Sequence, residues 1–338
     1  MSRVSLYLKA GDWVEVKSPL EIAETLDANG TLDGLPFMPE MVRYCGHRLR
    51  VLRWAEKTCF EESPYNYVLR ELREDDVVFL EGLRCDGADH DGCQRLCLYF
   101  WKIAWLRKTE AGHPEPGADS TSLQVLRARL RTKATPDRYF CQSTEMARAT
   151  LPQRIDKRRI ILKCWRDLST GAVGIRKMFR MVVMPVARKI RDALFGRPWL
   201  LGTLTKTPVG TLGLQPGELV EVLSLEEMRK TLDRKGRNRG LICDIELGET
   251  SGKHYRVLTR LDRFISDSTG EMKRMEATVI LNGVHCLCSR VVGGCSRLDY
   301  SYYREVWLKR VEGAESVPTE TSGNDERLRA TGGCRHHV

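Results

Sequence analysis

The chain has 338 residues, of which 42% are hydrophobic and 30% are charged, and its formal net charge is +10. This composition predicts a folded protein with room for two or three domains. The sequence has no basic start followed by an apolar run, the pattern of a secretion signal, and no apolar stretch approaches the ~18 residues of a membrane span. We therefore predict a cytoplasmic protein without a transmembrane segment.

Cysteine is frequent, with 12 residues. In a cytoplasmic chain these thiols are expected to stay reduced, so metal ligation or core packing is favoured over a disulfide framework. The sequence lacks a Walker phosphate loop, a G-x-G-x-x-G turn, an H-E-x-x-H helix and a nucleophile elbow. This pattern argues against the common nucleotide-dependent enzymes.

Two segments of the chain repeat one another, because residues 8–59 align without a gap on residues 214–265. The first-copy residues that recur unchanged are Gly11, Val14, Glu15, Val16, Ser18, Glu21, Thr25, Leu26, Asp27, Gly30, Gly34, Leu35, Glu40, Gly46, Arg50, Val51 and Leu52. A match this dense indicates an internal duplication. Residues that differ between the copies are then candidates for a function that only one copy has.

Each repeat is predicted to open with a strand, at 11–16 and at 217–222, because apolar and polar residues alternate there. A helix with an S-x-x-E capping box follows in both. Glycine stands where a left-handed helix stop belongs, at Gly30 and Gly236.

Further strands are expected at 48–57 and 255–264, and in the second copy a turn at 268–270 leads to a strand near 278–284. The first copy has a longer connection here, at 65–76. Closing strands are expected at 100–108 and 302–310. These short strands with one helix predict a mainly β, α+β fold of tandem small SH3-like barrels joined by a basic helical segment.

The basic charge is concentrated between the repeats. Residues 1–110 carry a net charge of −4, residues 111–212 carry +13 and residues 213–338 carry +1. An apolar face along 175–195 is typical of a helix packed between the barrels or lying on a membrane surface. The predicted divisions are a first repeat at 1–108, a linker at 109–122, the basic helical segment at 123–197, a linker at 198–213, a second repeat at 214–312 and a disordered tail at 313–338.

A group of thiols in the first repeat forms the main candidate site. Cys85, Cys93 and Cys97 lie in or beside a polar loop that also carries His90, and Cys59 ends the preceding strand. Thiolate and imidazole ligands at loop spacing are what a tetrahedral zinc ion needs. We therefore predict zinc held by ligands drawn from Cys59, Cys85, His90, Cys93 and Cys97. Core packing of the thiols and an iron–sulfur cluster remain as alternatives, although the spacing differs from the familiar cluster runs.

The second repeat offers an internal control. Cys286 aligns with Cys85 and Cys295 with Cys93, but Cys59 becomes Ile265 and Cys97 becomes Asp299. His90 has no counterpart. The retained pair indicates an ancestral site that the second copy has partly lost, while a site of Cys286, Cys288, Cys295 and Asp299 remains an open alternative.

Several phrases of the chain resemble a family of uncharacterised bacterial proteins encoded near exopolysaccharide or specialised-metabolite biosynthesis genes. The phrases are GLPFMPEMVRYCGHRLRV, EKTC, FLEGLRCDGADHDGCQ, LTKTPVGTLGLQPGELVEV, TLDRKGRNRGL and YYREVWLKRV. The resemblance implies a Cys-x4-His-x2-Cys loop at Cys85, His90 and Cys93, with a preceding Cys59. The family's second loop often carries a histidine, whereas this chain has residues 291–294 (VVGG), which puts a second metal site in doubt.

Three functions follow from these features. The first is an accessory protein that binds a protein or carrier partner and whose first repeat is clamped by metal. The second is a metal-dependent enzyme acting on a small molecule at the loop, with a cysteine nucleophile assisted by His90 as a variant. The third is nucleic-acid binding through residues 123–197, where aromatic residues for base stacking are few. The sequence does not determine the oligomeric state.

Overall fold

The computed structural model describes residues 8–55, 57–63, 66–110, 119–152, 200–286 and 296–312, together with separate helical positions between 161 and 194. The described chain is β-rich with short helices, which confirms the α+β class. Within these residues, no helix combines the length and the apolar character needed to cross a bilayer. The predicted tail at 313–338 lies outside the described residues.

The first repeat is built on an antiparallel five-stranded sheet in the order β8-β7-β4-β1-β9. Its elements are β1 (Trp13–Val16), α1 (Pro19–Thr25), β2 (Thr31–Leu32), β3 (Leu35–Pro36), a 3-10 helix (Pro39–Tyr44), β4 (Arg48–Trp54), β5 (Lys57–Ser63), β6 (Asn66–Leu72), β7 (Val77–Leu80), β8 (Trp101–Lys102), a 3-10 helix (Ile103–Trp105) and β9 (Leu106–Lys108). The segment predicted as a longer connection at 65–76 is mostly β6, because it pairs with β5 as a hairpin.

The segment between the repeats contributes strands as well as helices. Its elements are α2 (Ser120–Arg127), β10 (Lys133–Thr135), β11 (Arg138–Tyr139), α3 (Met146–Ala149) and β12 (Thr150–Pro152). Strand β12 joins the β5–β6 hairpin by pairing with β6. Gln142 is buried, and its amide donates to the carbonyl oxygens of Pro36 and Phe100 at 2.9 Å each. This part of the segment is therefore integrated into the first repeat.

The second repeat has the same sheet order, β20-β19-β16-β13-β21. Its elements are β13 (Leu219–Val222), α4 (Leu225–Arg229), β14 (Arg237–Asn238), β15 (Leu241–Ile242), a 3-10 helix (Ile245–Glu249), β16 (His254–Arg260), β17 (Arg263–Ile265), β18 (Met272–Arg274), β19 (Thr278–His285), β20 (Tyr300–Arg304), a 3-10 helix (Glu305–Trp307) and β21 (Leu308–Arg310).

Strand register also agrees between the repeats. Val14 faces Leu49 in the first sheet, and Val220 faces Tyr255 at the aligned positions of the second. Both helices begin with the predicted capping box, at Ser18 with Glu21 and at Ser224 with Glu227. Each repeat has its own apolar core, and Leu298 of the second repeat also packs against the first core.

Two local expectations differ from the structure. Gly30 and Gly236 do adopt positive φ, 74° and 73°, but they lie in the turn after the helix rather than at its end. Each expected closing strand is divided into two strands by a 3-10 turn. Trp105 and Trp307 lie in these turns and are fully buried, which explains why a tryptophan occurs at this point of both repeats.

The helical positions between 161 and 194 do not show the expected packing between barrels. Phe179, Ile190 and Leu194 are exposed. Most of the predicted basic segment beyond residue 152 lies outside the described residues, so its proposed nucleic-acid surface is not observed.

Candidate functional site

The loop that carries the predicted ligands, residues 85–97, is closed at its base by the backbone. The Cys85 N–H donates to the Cys97 carbonyl oxygen at 2.8 Å, and Arg84 pairs with Leu98 as an isolated bridge. Gly87 has φ +67°, and a Cβ there would lie 2.2 Å from the Cys93 carbonyl oxygen. Only glycine allows the loop to fold back this tightly. We call residues 85–97 the thiol loop.

His90 is held at both ring nitrogens by oxygen atoms. Its Nδ1 lies 2.6 Å from Glu40 Oε1, and its Nε2 lies 3.0 Å from the Phe140 carbonyl oxygen, with 1% of the residue exposed. Two acceptors favour two ring N–H donors, which is the imidazolium form. Burial alone would lower the pKa of His90, but the hydrogen bond and charge of Glu40 outweigh it and raise that pKa. A metal ligand needs a ring nitrogen that faces the metal, and both nitrogens of His90 face oxygens.

Four thiols border one small cavity of about 30 Å³. They belong to Cys85, Cys93 and Cys97 of the thiol loop and to Cys141 of the middle segment. A volume of this size accommodates about one water molecule or a single ion. The cavity is therefore of the size of an ion site and far smaller than a pocket for an organic substrate.

These thiols are surrounded mostly by protein. Burial raises the pKa of Cys85 well above its usual range and raises the pKa of Cys93, and it raises the pKa of Cys141 to about 12. The backbone N–H of Ile265, from the second repeat, donates to Cys93 Sγ at 3.4 Å. Without a metal these three side chains are neutral thiols near pH 7, because a buried thiolate lacks solvation.

The structure separates the five predicted ligands. Cys85, Cys93 and Cys97 share the cavity with His90 in its wall, whereas Cys59 on β5 does not line it. Cys141 was not predicted, because it is a single cysteine far from the loop in sequence and only the packing of the middle segment brings it there. In the described part of the chain, no three His, Cys, Asp or Glu side chains stand at metal-binding geometry, so a metal ion would require the thiols to move closer together.

The outer side of the thiol loop contacts the second repeat. Gln94 Oε1 accepts from the backbone N–H groups of Asp262 and Arg263, at 2.6 and 3.1 Å. Arg95 binds Asp267 through both terminal nitrogens and also reaches Asp299 at 3.4 Å. The loop therefore holds the cavity on one side and forms the junction between the repeats on the other.

A buried ion network forms the centre of this junction. Arg297 Nη1 donates to Asp267 at 3.1 Å, and its Nη2 donates to Ser143 Oγ at 2.6 Å. Only 1% of Arg297 and 2% of Asp267 is exposed. Burial opposes ionisation of Asp267, but Arg95 and Arg297 together hold its pKa below the usual range. First repeat, middle segment and second repeat are thus joined through charged groups.

The loop backbone at the junction is similar in the two repeats. Arg95 and Arg297 occupy equivalent positions when Cys93 is aligned with Cys295. Leu96 and Leu298, the next residues, both have positive φ, 56° and 49°. The Cys286 N–H donates to the Asp299 carbonyl oxygen at 2.7 Å, as Cys85 does to Cys97. The sequence contains a signal for this network, namely arginine at the same loop position in both copies.

The alternative metal site in the second repeat finds no support from its described members. Cys286 is exposed, and Asp299 pairs with Arg95 and Arg297 in the junction. Cys288 and Cys295 lie outside the described residues.

Comparison of the chain with protein-family models, with curated proteins and with solved structures gives no match.

Proposed function

We propose that this protein acts by binding a partner and that a zinc ion clamps its first repeat to the middle segment. The ligands would be the thiols of Cys85, Cys93, Cys97 and Cys141. The observation that carries the proposal is the convergence of four thiols from two parts of the chain on one ion-sized cavity. Zinc with four thiolate ligands forms a closed, structural site.

The same geometry disfavours the enzyme alternative. A catalytic zinc site keeps one position open for water or substrate, and a cavity of about 30 Å³ does not admit an organic substrate beside the ion. His90 is engaged with Glu40 and Phe140, so it is not oriented towards Cys85 or Cys93 as the base of a cysteine nucleophile. An accessory, partner-binding role fits these restrictions better.

Zinc binding at this site would be coupled to proton release. The raised pKa values of the buried thiols mean that protons must leave as thiolate–zinc bonds form. The ion would then tie the thiol loop to Cys141 and, through the loop, stabilise the junction with the second repeat.

Metal analysis of anaerobically purified protein tests the clamp. We expect about one zinc per chain, by analogy with structural four-thiolate sites. Cys97→Ser and Cys141→Ser should lose the metal. Matched controls are Cys45→Ser and Cys243→Ser, which remove buried thiols that do not border the cavity. Both control proteins should keep the zinc.

Two results would overturn the clamp. One is the absence of stoichiometric zinc or iron, and the other is equal metal content in Cys141→Ser and Cys45→Ser. Stoichiometric iron with visible charge-transfer absorption would replace zinc by the iron–sulfur alternative.

The proposal also covers the fold of the repeats, the compartment of the protein and the kind of partner. We infer that the repeats are SH3-like modules derived by duplication, on the basis of their shared strand order and register. None of the eight described cysteines forms a disulfide, which fits a reducing compartment such as the cytoplasm. We further infer, from the resemblance alone, that the partner belongs to a biosynthetic pathway.

A further inference from the structure

One turn of the second repeat is strongly basic where the equivalent turn of the first repeat is not. Residues 229–239 contain six basic residues and one acidic residue, whereas the aligned residues 23–33 contain three acidic residues and no basic one. The backbone is the same in both, because Asp27 and Asp233 each accept from the N–H four residues later, at 2.9 Å. Folding therefore does not require these charges. We call residues 229–239 the basic turn.

In the first repeat, arginines of the middle segment cover the equivalent turn. Arg129 donates to the Ala23 carbonyl oxygen at 2.6 Å, and Arg131 donates to Asn29 Oδ1 at 2.7 Å. The turn at residues 23–33 thus offers oxygen acceptors, and the arginines of the middle segment bind them. The second turn has Arg234 and Lys235 at the positions of Ala28 and Asn29, so it repels such a basic cover.

The basic turn is bordered instead by a short neutral segment and an open groove. The backbone N–H groups of Gly202 and Leu204 donate to the carbonyl oxygens of Asp233 and Leu232, at 2.9 and 3.1 Å. A groove of about 470 Å³ lies beside these contacts. Its lining residues are Leu204, Thr205, Asp233, Arg234, Lys235, Arg237 and Gly240. Three of these residues are cationic and one is acidic.

The chain neutralises this charge only in part. Arg239 pairs with Glu276 at 2.5 Å. Arg234, Lys235 and Lys206 are exposed, and among the described residues no carboxylate lies within ion-pair distance of them. Arg304 lies beneath the turn and donates to the carbonyl oxygens of Asn238 and Arg239, which adds a further positive charge. Within the part of the chain that the structure describes, positive charge therefore exceeds negative charge at this surface.

We propose that the basic turn and its groove bind the phosphodiester backbone of a nucleic-acid duplex. Backbone recognition uses arginine, lysine and threonine side chains, and the groove presents Arg234, Lys235 and Thr205. The described residues that line the groove include no aromatic side chain on which an unpaired base could stack. Protein interfaces centre on aromatic or aliphatic anchors, and among the described lining residues Leu204 is the only large apolar one. The inference rests on the proposed binding role and names the chemistry of the partner.

The test measures fluorescence anisotropy of a labelled duplex of about 20 base pairs over a range of salt concentrations. The key variant is Arg234→Ala with Lys235→Asn, which gives the turn the sequence DANG of the first repeat and so uses residues already compatible with this backbone. Loss of two phosphate contacts should reduce the slope of log K against log salt by about 2. Affinity at low salt should fall by roughly tenfold or more.

A matched control removes the same charge elsewhere on the second repeat. Lys273→Gln with Lys309→Gln neutralises two exposed lysines that pair with Glu271 and Glu221. This variant should keep nearly the full affinity. Equal weakening in both variants would show general electrostatic attraction and would overturn the inference.

Other outcomes also overturn it. The first is failure of the wild-type protein to bind duplex DNA or duplex RNA at low salt. The second is unchanged binding by the variant Arg234→Ala with Lys235→Asn. The third is a preference for poly-glutamate over the duplex, which would identify an acidic protein partner. Lys206→Gln provides a second variant on the neighbouring segment if the first unfolds. Zinc content is measured on the same samples, so a wild-type protein that holds zinc but does not bind the duplex refutes this inference and leaves the clamp intact.

Discussion

The two repeats share a framework and differ mainly where each meets another part of the chain. Sheet order, register, capping boxes and the buried tryptophans agree. The side chains aligned with Cys59, His90 and Cys97 and those of the basic turn do not. A sequence comparison alone assigns such differences to a functional site. The structure shows that some of them arise because the copies pack against each other and against different covering segments.

Cys97 and its counterpart Asp299 illustrate this point. Cys97 faces the cavity, whereas Asp299 pairs with Arg95 and Arg297 in the junction. Cys59 and its counterpart Ile265 diverge similarly, since Ile265 packs with Cys93 while the Cys59 carbonyl oxygen accepts from Arg297. Equivalent positions in a fused pair have different neighbours, and their side chains can therefore diverge without any difference in catalysis.

A buried cation near the turn shows the same divergence. Lys102 pairs with Asp33 and Asp76 in the first repeat, at 2.8 and 2.9 Å. At the equivalent position Arg304 meets backbone carbonyls instead, and burial followed by the charge of Arg239 lowers its pKa to about 10. Positive charge is thus concentrated at this position of the second repeat, whereas two carboxylates neutralise it in the first repeat.

The largest expected effect tests what the repeats share. Trp105→Ala and Trp307→Ala each remove a fully buried side chain whose indole N–H donates to a threonine, Thr25 or Thr231. Each should lower the free energy of unfolding by about 3–5 kcal/mol. Urea denaturation measures this. A loss below about 1 kcal/mol in either repeat would contradict a common framework.

A somewhat smaller effect tests the junction that only the pair of repeats creates. Asp267→Ala removes the carboxylate between Arg95 and Arg297 and leaves two buried guanidinium groups with fewer partners, so we expect a loss of about 3 kcal/mol. Asp262→Ala is the control, because its carboxylate is about half exposed and it pairs with Arg260. The control should cost less than about 1 kcal/mol by urea denaturation. Similar losses in both variants would show that the junction is not an energetic centre.

The smallest effect is a pH dependence that only the first repeat should show. The folded-state pKa of His90 is raised, so its contribution is fully present below the unfolded pKa of about 6.5 and is lost as pH rises through the folded value. In metal-free protein, the free energy of unfolding should therefore decline over that interval.

Glu40→Gln removes the carboxylate partner of His90 and should reduce this decline. Glu246→Gln alters the aligned position of the second repeat, which has no histidine counterpart, and should leave the decline unchanged. Chemical denaturation at several pH values compares the three proteins. A wild-type stability that rises with pH over the same range would refute the imidazolium assignment.

Much of the local structure could be predicted from sequence because it depends on near neighbours. Three features involve only residues that are close in the chain. They are the alternation of apolar and polar residues in 13–16, the capping boxes Ser18–Glu21 and Ser224–Glu227, and the loop position of Cys85 and Cys93. The role of His90 could not be predicted, because Glu40 and Phe140 are each 50 residues away from it.

The sequence by itself determined that the protein contains two related β-rich repeats and a cysteine-bearing loop in the first. The repeated sequence and the short-range signals of turns, caps and alternating strands record these features directly. Tertiary structure decided which thiols share a cavity, which arginines meet Asp267 and why one turn is covered and the other is open. Such contacts join residues that are distant in the chain, and only the packing of the two repeats and the middle segment brings them together.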